Sequence, residues 1–322
     1  MSQSNVLIIL ATYNGEKHIR EQVSSIQSQT YCDWRLLIRD DCSMDKTPNI
    51  IQELAQHDER ISIVDNKGIN LGVIDNFGSL MEIGSELTNI DYVFFSDQDD
   101  VWDPEKIQLM INCFQQKEAE LDEARPLLVH SDLSVVGEQL DEIHPSFMKY
   151  QSIRNEEADA WEVLCVQNYV TGCVMAINRS LLEFALPMPK NIVMHDWWLA
   201  LCASVSGEII YIDKPLIKYR QHQNNQVGAK GFWARINPLN SDFSDRWEKG
   251  RQDICLAIQQ TKFVLQRMEQ HDLNNEASHV LRQFSQILVY SRWKRLIVML
   301  KYKIRRQNKL MSVLLYLRIF TT

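Results

Sequence analysis

The sequence predicts an α/β fold with a mostly parallel, helix-covered sheet, and three observations predict it. Short apolar runs alternate with stretches of helical period over the first 135 residues. The earliest run, Val6-Leu7-Ile8-Ile9-Leu10, is apolar without alternation, as a strand buried on both faces requires. Three of the runs break off into polar, oxygen-rich segments, and the carboxyl ends of parallel strands are where such sheets bind their ligands.

Val6 to Leu10 therefore reads as the first strand. Residues 16–29 read as the first helix, with Ile19, Val23 and Ile26 on one face. Trp34 to Ile38 is a second strand and Asp45 to Gln56 a second helix, with Pro48 in its first turn. Ile61 to Val64, a helix near 73–85 and the strand Tyr92-Val93-Phe94-Phe95 continue the alternation, and Pro104 opens a helix reaching about 120. Repeated βα units imply right-handed crossovers and helices on both faces of the sheet. Beyond about 125 the pattern loosens. Leu127 to His130, Thr171 to Ile177 and Glu208 to Ile212 read as strands, and His195 to Ser204 as a helix. After Gly231 the chain turns helical, near 245–270, 273–299 and 300–319. The expected organisation is an α/β domain over 1–230 and a helical region over 231–322.

Composition narrows the function classes. With 45% hydrophobic and 24% charged residues in 322, the chain is neither disordered nor low in complexity. No apolar run approaches the roughly 20 residues of a membrane span, and the N-terminus lacks a basic, signal-like segment. Seven scattered cysteines without a CxxC pair suit free thiols in a reducing cytosol. The net charge of −8 hides an asymmetry: ten Lys and Arg and no acid follow Glu276, leaving −18 on residues 1–276.

Asp97-Gln98-Asp99-Asp100 follows a buried strand. Residues i and i+2 of an extended segment point the same way, so Asp97 and Asp99 can share a pocket. Oxygen ligands with open positions suit Mg²⁺ or Mn²⁺ on a substrate diphosphate; the plain alternative is an acidic turn before Pro104. Asp40 and Asp41 end the second strand. Ser43 or Asp45 can cap the next helix, which accounts for one acid but hardly for both Asp40 and Asp41. A carboxylate here can accept a hydrogen bond from N3–H of uracil or thymine, with Thr12 and Tyr13 beside the base and Glu16 near the ribose. No GxGxxG or GxxxxGK[ST] motif is present, which disfavours dinucleotide and P-loop readings.

His195-Asp196-Trp197-Trp198 opens a helix. Asp196 is either a helix-terminal cap or a general base for an acceptor hydroxyl. Trp197 and Trp198 offer a sugar-binding face, or simply core. The segment 214–226 reads as leaving a strand and becoming irregular, and the grouping of Arg220, His222 and two Asn favours an anion or metal-diphosphate site.

Taken together, Ala11-Thr12-Tyr13-Asn14-Gly15, Asp40-Asp41-Cys42-Ser43, Asn70-Leu71-Gly72, Asp97-Gln98-Asp99-Asp100 and His195-Asp196 resemble family 2 glycosyltransferases of GT-A fold. Ser96 to Trp102, His195 to Trp198 and Tyr219-Arg220-Gln221-His222 are similar to bacterial rhamnosyltransferases that use dTDP-L-rhamnose. The resemblance covers about residues 5–230. It implies a metal-dependent, inverting transfer, with Mn²⁺ or Mg²⁺ as cofactor and O-antigen, capsule or other surface polysaccharide as product. It implies nucleotide or donor contacts at Thr12, Tyr13, Asn14, Glu16, Asp40, Asp41, Asn70, Gly72, Asp97, Gln98 and Arg220. It implies metal ligands at Asp97, Asp99 and His222, and a base at Asp196. Two departures stand out: Cys42 where Gly is common, and Gln223 where a Gly often follows the His.

Residues 289–320 interleave Lys and Arg with Trp293, Leu296, Ile297, Leu300, Leu314 and Leu317, the pattern of basic amphipathic helices on anionic membrane. The expected partners are a nucleotide sugar (dTDP-rhamnose or a UDP-sugar), a saccharide on polyprenyl diphosphate and a membrane surface, but not nucleic acid, which −18 on the remaining chain would repel. The expected location is cytoplasmic, peripheral to the inner face of the plasma membrane. The rivals are a UDP-sugar transferase, a nucleotidyltransferase lacking its usual Gly-rich loop, and a non-catalytic nucleotide-sugar-binding scaffold.

Overall fold

The computed structural model describes residues 4–121, 124–221 and 243–322, which pack as two compact units. The first takes Met1–Phe147, Val170–Met188 and Ile209–Ala229, and the second Met148–Tyr169, Pro189–Glu208 and Lys230–Thr322. The stretch 1–230 thus lends two segments, one of them carrying Asp196, to the unit that holds the C-terminal helices.

The first unit is the sheet and its helices. In chain order it contains β1 (Val6–Thr12), α1 (Ile19–Gln27), β2 (Trp34–Asp40), α2 (Thr47–His57), β3 (Ile61–Val64), α3 (Gly72–Glu86), β4 (Tyr92–Ser96), β5 (Val101–Trp102), α4 (Lys106–Glu120), β6 (Leu127–Val136), β7 (Glu142–His144), β8 (Met175–Asn178), α7 (Arg179–Ala185) and β9 (Glu208–Arg220). A short helix, α5 (Phe147–Gln151), and α6 (Trp161–Leu164) fall between β7 and β8. The sheet order is β3-β2-β1-β4-β8-β6-β9-β5, with β7 on β6. β3, β2, β1 and β4 run parallel, whereas β8 lies antiparallel to both β4 and β6.

β1 sits inside the parallel half. Val6 through Leu10 are at most 1% exposed, which is why its sequence carries no polar alternation. Helices cover it closely. A Cβ on Gly84 of α3 would come within 2.7 Å of the Leu7 side chain, so that position admits no larger residue without a shift. α1 buries Ile19, Val23 and Ile26, and α4 buries Ile107, Met110, Ile111 and Phe114, each at helical spacing.

Registers carry the functional consequence. Thr12 pairs with Asp40 across β1 and β2, and Leu10 pairs with Ser96 across β1 and β4. The loops that leave Thr12, Asp40 and Ser96 therefore emerge at one edge of the sheet.

The second unit holds α6, α8 (His195–Ser206), α9 (Phe243–Gln270), α10 (Glu276–Ser285), α11 (Arg292–Lys301) and α12 (Lys309–Thr321). α8 is buried on nearly all sides, from Trp198 through Val205, so it is the central helix of this unit. The side chains of Asn275 and Asn308 accept hydrogen bonds from Ser278 N and Met311 N and so start α10 and α12. Arg305 bridges Glu156 and Glu162. No described helix is long and apolar enough to cross a membrane, and all seven cysteines are free thiols.

Several expectations need revision. Gly172–Val174 is a 3-10 turn, and the strand begins only at Met175. β9 continues to Arg220 where an irregular segment was expected, because β5 pairs with it at Lys218 and Ile217. The helix expected over 273–299 is broken after Ser285. There Arg295 donates to the carbonyls of Leu288 and Tyr290, satisfying groups that the break would otherwise orphan.

Asn178 ties the antiparallel half together. Its Oδ1 accepts from Leu181 N, capping α7, and from Leu127 N at 2.9 Å, while its Nδ2 donates to Arg125 O at 2.8 Å. Asn178→Ala leaves the buried Leu127 amide unpaired and removes the cap. We expect a loss of about 2–4 kcal/mol in urea unfolding, above that of an ordinary cap.

Candidate active site

The polar loops at the sheet edge are bound to one another. The Gln98 side-chain amide grips the end of β1: its Oε1 accepts from Thr12 Oγ1 at 2.6 Å and from Tyr13 N at 2.8 Å, and its Nε2 donates to Tyr13 O. A Cβ on Gly15 would come within 2.6 Å of the Gln98 Oε1, so that close approach requires glycine. Tyr13 itself is 44% exposed, a free aromatic face at the strand end.

The second cluster joins the loops after β1 and β2. Asn14 N donates to Ser43 Oγ, and Asn14 Oδ1 accepts from Met44 N. Glu16 N donates to Asp45, and Glu16 Oε2 accepts from Lys46 N. Gly15 N donates to Thr47 Oγ1. Asp45 Oδ1 accepts from Thr47 N and Oγ1 at the start of α2, and these hydrogen bonds hold the Asp45 carboxyl below its ordinary range against the opposing effect of burial. Asp40 is buried and accepts from both Ser43 N and Ser43 Oγ. Cys42 adopts φ +65°, so the backbone that Gly would favour is kept by a residue for which it costs about 1 kcal/mol.

Asp41 organises the third loop. Its carboxylate accepts from Leu71 N and Gly72 N, both at 2.8 Å, and pairs with Arg39 at 2.8 Å. Asn70 Nδ2 donates to Asp41 O, and Arg39 also donates to Asn76 Oδ1 and Ile69 O. Asp41 thus anchors the loop that starts α3 at the positive-φ Gly72 (φ +75°). That reading accounts for both acids of the pair, one on each loop, and was not visible in the sequence.

The acidic loop itself contains Asp97, Gln98 and Asp99, each half-buried, and Asp100, fully buried. Ligand atoms of Asp97, Asp100 and Cys173 lie within 4.8 Å of one another, and Asp100 Oδ2 is a buried oxygen without a hydrogen-bond partner. Burial, reinforced by the Asp99 and Asp97 charges, raises the Asp100 carboxyl well above the ordinary range. Beneath it, Lys106 Nζ donates to Cys173 O at 3.0 Å and stands 3.3 Å from the Trp102 ring centre; burial pushes its ammonium down to about 7. Sequence reasoning missed Asp100, Lys106 and Cys173. A signal existed for Lys106, a charged residue on the stripe shared by Ile107, Met110, Ile111 and Phe114. None existed for Cys173.

Arg220 is placed differently from an exposed anion ligand. It is 2% exposed and spends its guanidinium on the protein. Its Nε donates to Asp99 O at 2.9 Å, its Nη2 to the Glu21 carboxylate at 2.5 Å and its Nη1 to Glu138 O. The Arg220 amide also donates to Asp100 Oδ1. Arg220 therefore fixes the acidic loop from β9, beside a cleft of about 310 Å³ lined by Lys17, His18, Glu21 and Glu138. His222 lies outside the described residues.

In the second unit, Asp196 occupies the first turn of α8, where the helix end favours negative charge, and its Oδ1 accepts from Trp197 N. The Trp197 indole N–H donates to Leu164 O, and Trp198 is fully buried, so Trp198 serves the core. His195 is buried as well, and burial pushes its imidazole down to about 3.

A family model described as Glycosyl transferase family 2 matches residues 7–125. The dTDP-rhamnosyl transferase RfbG of Shigella flexneri is 32% identical over 265 residues, 79% of this chain and 86% of its own length. The UDP-Glc:alpha-D-GlcNAc-diphosphoundecaprenol beta-1,3-glucosyltransferase WfgD of Escherichia coli is 25% identical, over 68% of this chain and 78% of its own. Among solved structures, S. aureus TarS in complex with UDP-GlcNAc is alike in fold, with a TM-score of 0.58 at 14% identity over 98% of this chain and 88% of that one.

Two outcomes follow from this geometry. Asp41→Ala strands the buried Arg39, so the unliganded protein should lose about 3–5 kcal/mol in chemical denaturation, a loss that a purely ligand-binding residue would not show. His195 stays neutral in the folded chain down to about pH 3, whereas unfolded histidine protonates near 6.5. Between those values the unfolded state binds more protons, and stability falls as pH drops. His195→Leu should flatten that acid limb when urea midpoints are compared across the window.

Proposed function

The chain belongs to glycosyl transferase family 2 and has the GT-A fold, and from that footing we propose that it moves L-rhamnose from dTDP-L-rhamnose to a saccharide acceptor. The acceptor in this reading is carried on a polyprenyl diphosphate at the cytoplasmic face of the membrane, in the assembly of a surface polysaccharide such as an O-antigen. The observation that carries the chemistry is the convergence of the loops after Thr12, Asp40 and Ser96 at one sheet edge. The donor sugar rests on the similarity to a dTDP-rhamnosyl transferase.

In this reading the base and ribose lie against Thr12, Tyr13, Asn14 and Glu16, within the loops shaped by Asp40, Asp41, Asn70 and Gly72. Tyr13 supplies the exposed ring. Gln98 sets the height of that ring by gripping its backbone. Asp97 and Asp99, with His222, are the residues that would hold a divalent cation. The chemistry of the donor set fits: carboxylates are hard oxygen ligands suited to Mg²⁺ or Mn²⁺, and among the described residues a ligand atom of Asp97 lies within 4.8 Å of ones from Asp100 and Cys173. Burial, reinforced by the Asp100 and Asp97 charges, pushes the Cys173 thiol up. When bound, the cation supplies positive charge against the departing diphosphate. Arg220 holds the loop in register, and Asp196 takes the proton of the acceptor hydroxyl as its oxygen attacks the anomeric carbon opposite the leaving group. A single displacement inverts the configuration. Trp197 is the aromatic candidate for acceptor contact.

A second reading keeps the fold and the base but takes a UDP-sugar, which the similarity to a UDP-glucose-dependent enzyme favours. Thermal stabilisation by a panel of nucleotide sugars, with and without Mn²⁺, separates the two, because the shift ranks donors by affinity. We expect dTDP-rhamnose to rank first and to need the metal. Asp196→Asn should keep the donor shift and lose about 10²–10⁴-fold in turnover. Unchanged turnover would remove Asp196 as the base, and no shift with any donor in folded protein would favour a non-catalytic scaffold.

A further inference from the structure

The C-terminal helices do not present ten equivalent cations. Arg282 pairs with Glu269, and Arg305 pairs with Glu156 and Glu162. Arg295 donates to Leu288 O, Tyr290 O and Ile319 O. Arg306 is half-buried, and Arg318 lies over the Trp247 ring. Arg292, Lys294, Lys301, Lys303 and Lys309 remain exposed, on or between α11 and α12.

The same two helices carry unusual apolar exposure. Trp293, Ile297 and Leu300, spaced i, i+4 and i+7 on α11, are 72%, 62% and 63% exposed. Leu310, Val313 and Leu317 form a second stripe at i, i+3 and i+7 on α12, each about half exposed. The two helices meet at the Trp293 ring, which packs edge-on against Phe320 with centroids 5.3 Å apart. Lys294 lays its ammonium over the Tyr290 ring, and Lys301 over that of Tyr302, so apolar stems and rings lie beside the charged tips.

We propose that the α11–α12 face, with Trp293, Ile297 and Leu300 as its inserting residues and Arg292, Lys294, Lys301, Lys303 and Lys309 as its cationic rim, docks on an anionic lipid bilayer. The inference rests on the membrane-surface reading above and names the residues that meet the lipid. Charge complementarity selects the occupant. No acid follows Glu276, so the same face of a second copy would bring like charges together. A bilayer rich in anionic headgroups offers both the negative surface and the apolar layer beneath it.

Cosedimentation of the full chain with vesicles of phosphatidylcholine, with and without phosphatidylglycerol, tests this. Binding should require phosphatidylglycerol and weaken with salt. Each cation near the surface strengthens binding about fivefold, so Lys294→Gln, Lys301→Gln and Lys303→Gln together should weaken it roughly a hundredfold. Trp293→Ser with Ile297→Ser should abolish it, whereas Arg282→Gln, already paired with Glu269, should not change it. Donor-induced thermal shifts should persist in all of these variants. Vesicle binding that survives the serine pair overturns the proposal, as does a wild-type chain that ignores vesicles, or one whose dimer dissociates on the serine substitutions without any lipid binding. Each of those results with an intact donor shift leaves the transferase reading standing. Lipid binding without any donor shift would separate them the other way.

Discussion

Parallel pairing of β1 with β2 on one side and β4 on the other is the constraint from which the remaining site geometry follows. Parallel strands all end at the same edge, so three chain segments separated by tens of residues deliver Thr12, Asp40 and Ser96 side by side. The continuous burial of Val6 to Leu10 holds this arrangement, because a slip in the central strand would displace every one of these ends at once.

Around that edge the polar residues fall into two kinds. Asp41, Arg220 and Gln98 are spent on the protein, tying one loop to another through buried hydrogen bonds. Tyr13 is 44% exposed and Asp97 and Asp99 are half-buried beside that scaffold. A charged group that will act on a ligand needs a rigid support, and here the support is supplied by equally polar residues whose bonding capacity is already used. Several residues that look like ligand contacts in the sequence thus also tie the loops of the protein together.

The second unit repeats the lesson in another material. The α8 helix that begins with His195-Asp196 is buried along most of its length, so Trp198 is core while Asp196 stays in the first turn. Of the ten cations after Glu276, Arg282, Arg295, Arg305 and Arg318 turn to carboxylates, carbonyls or a ring, and the five exposed ones lie on or between α11 and α12 among large exposed apolar side chains.

The sequence by itself determined the parallel β1–β4 layout, the polar strand ends and the family resemblance, because apolar runs and turn chemistry are local and periodic. It misjudged the extent of β9 and the 3-10 turn at Gly172–Val174, since strand length depends on which neighbour offers hydrogen bonds. Only the tertiary structure decided that Asp41 holds the Leu71–Gly72 amides, that Arg220 grips the Asp99 carbonyl, and that Asp100, Cys173 and Lys106 form a buried polar group under the acidic loop. Those partners lie about 30 to 120 positions apart in the chain, except where Asp100 and Lys106 are near neighbours. A hydrogen bond depends on distance in space, and one-dimensional spacing carries almost none of that distance.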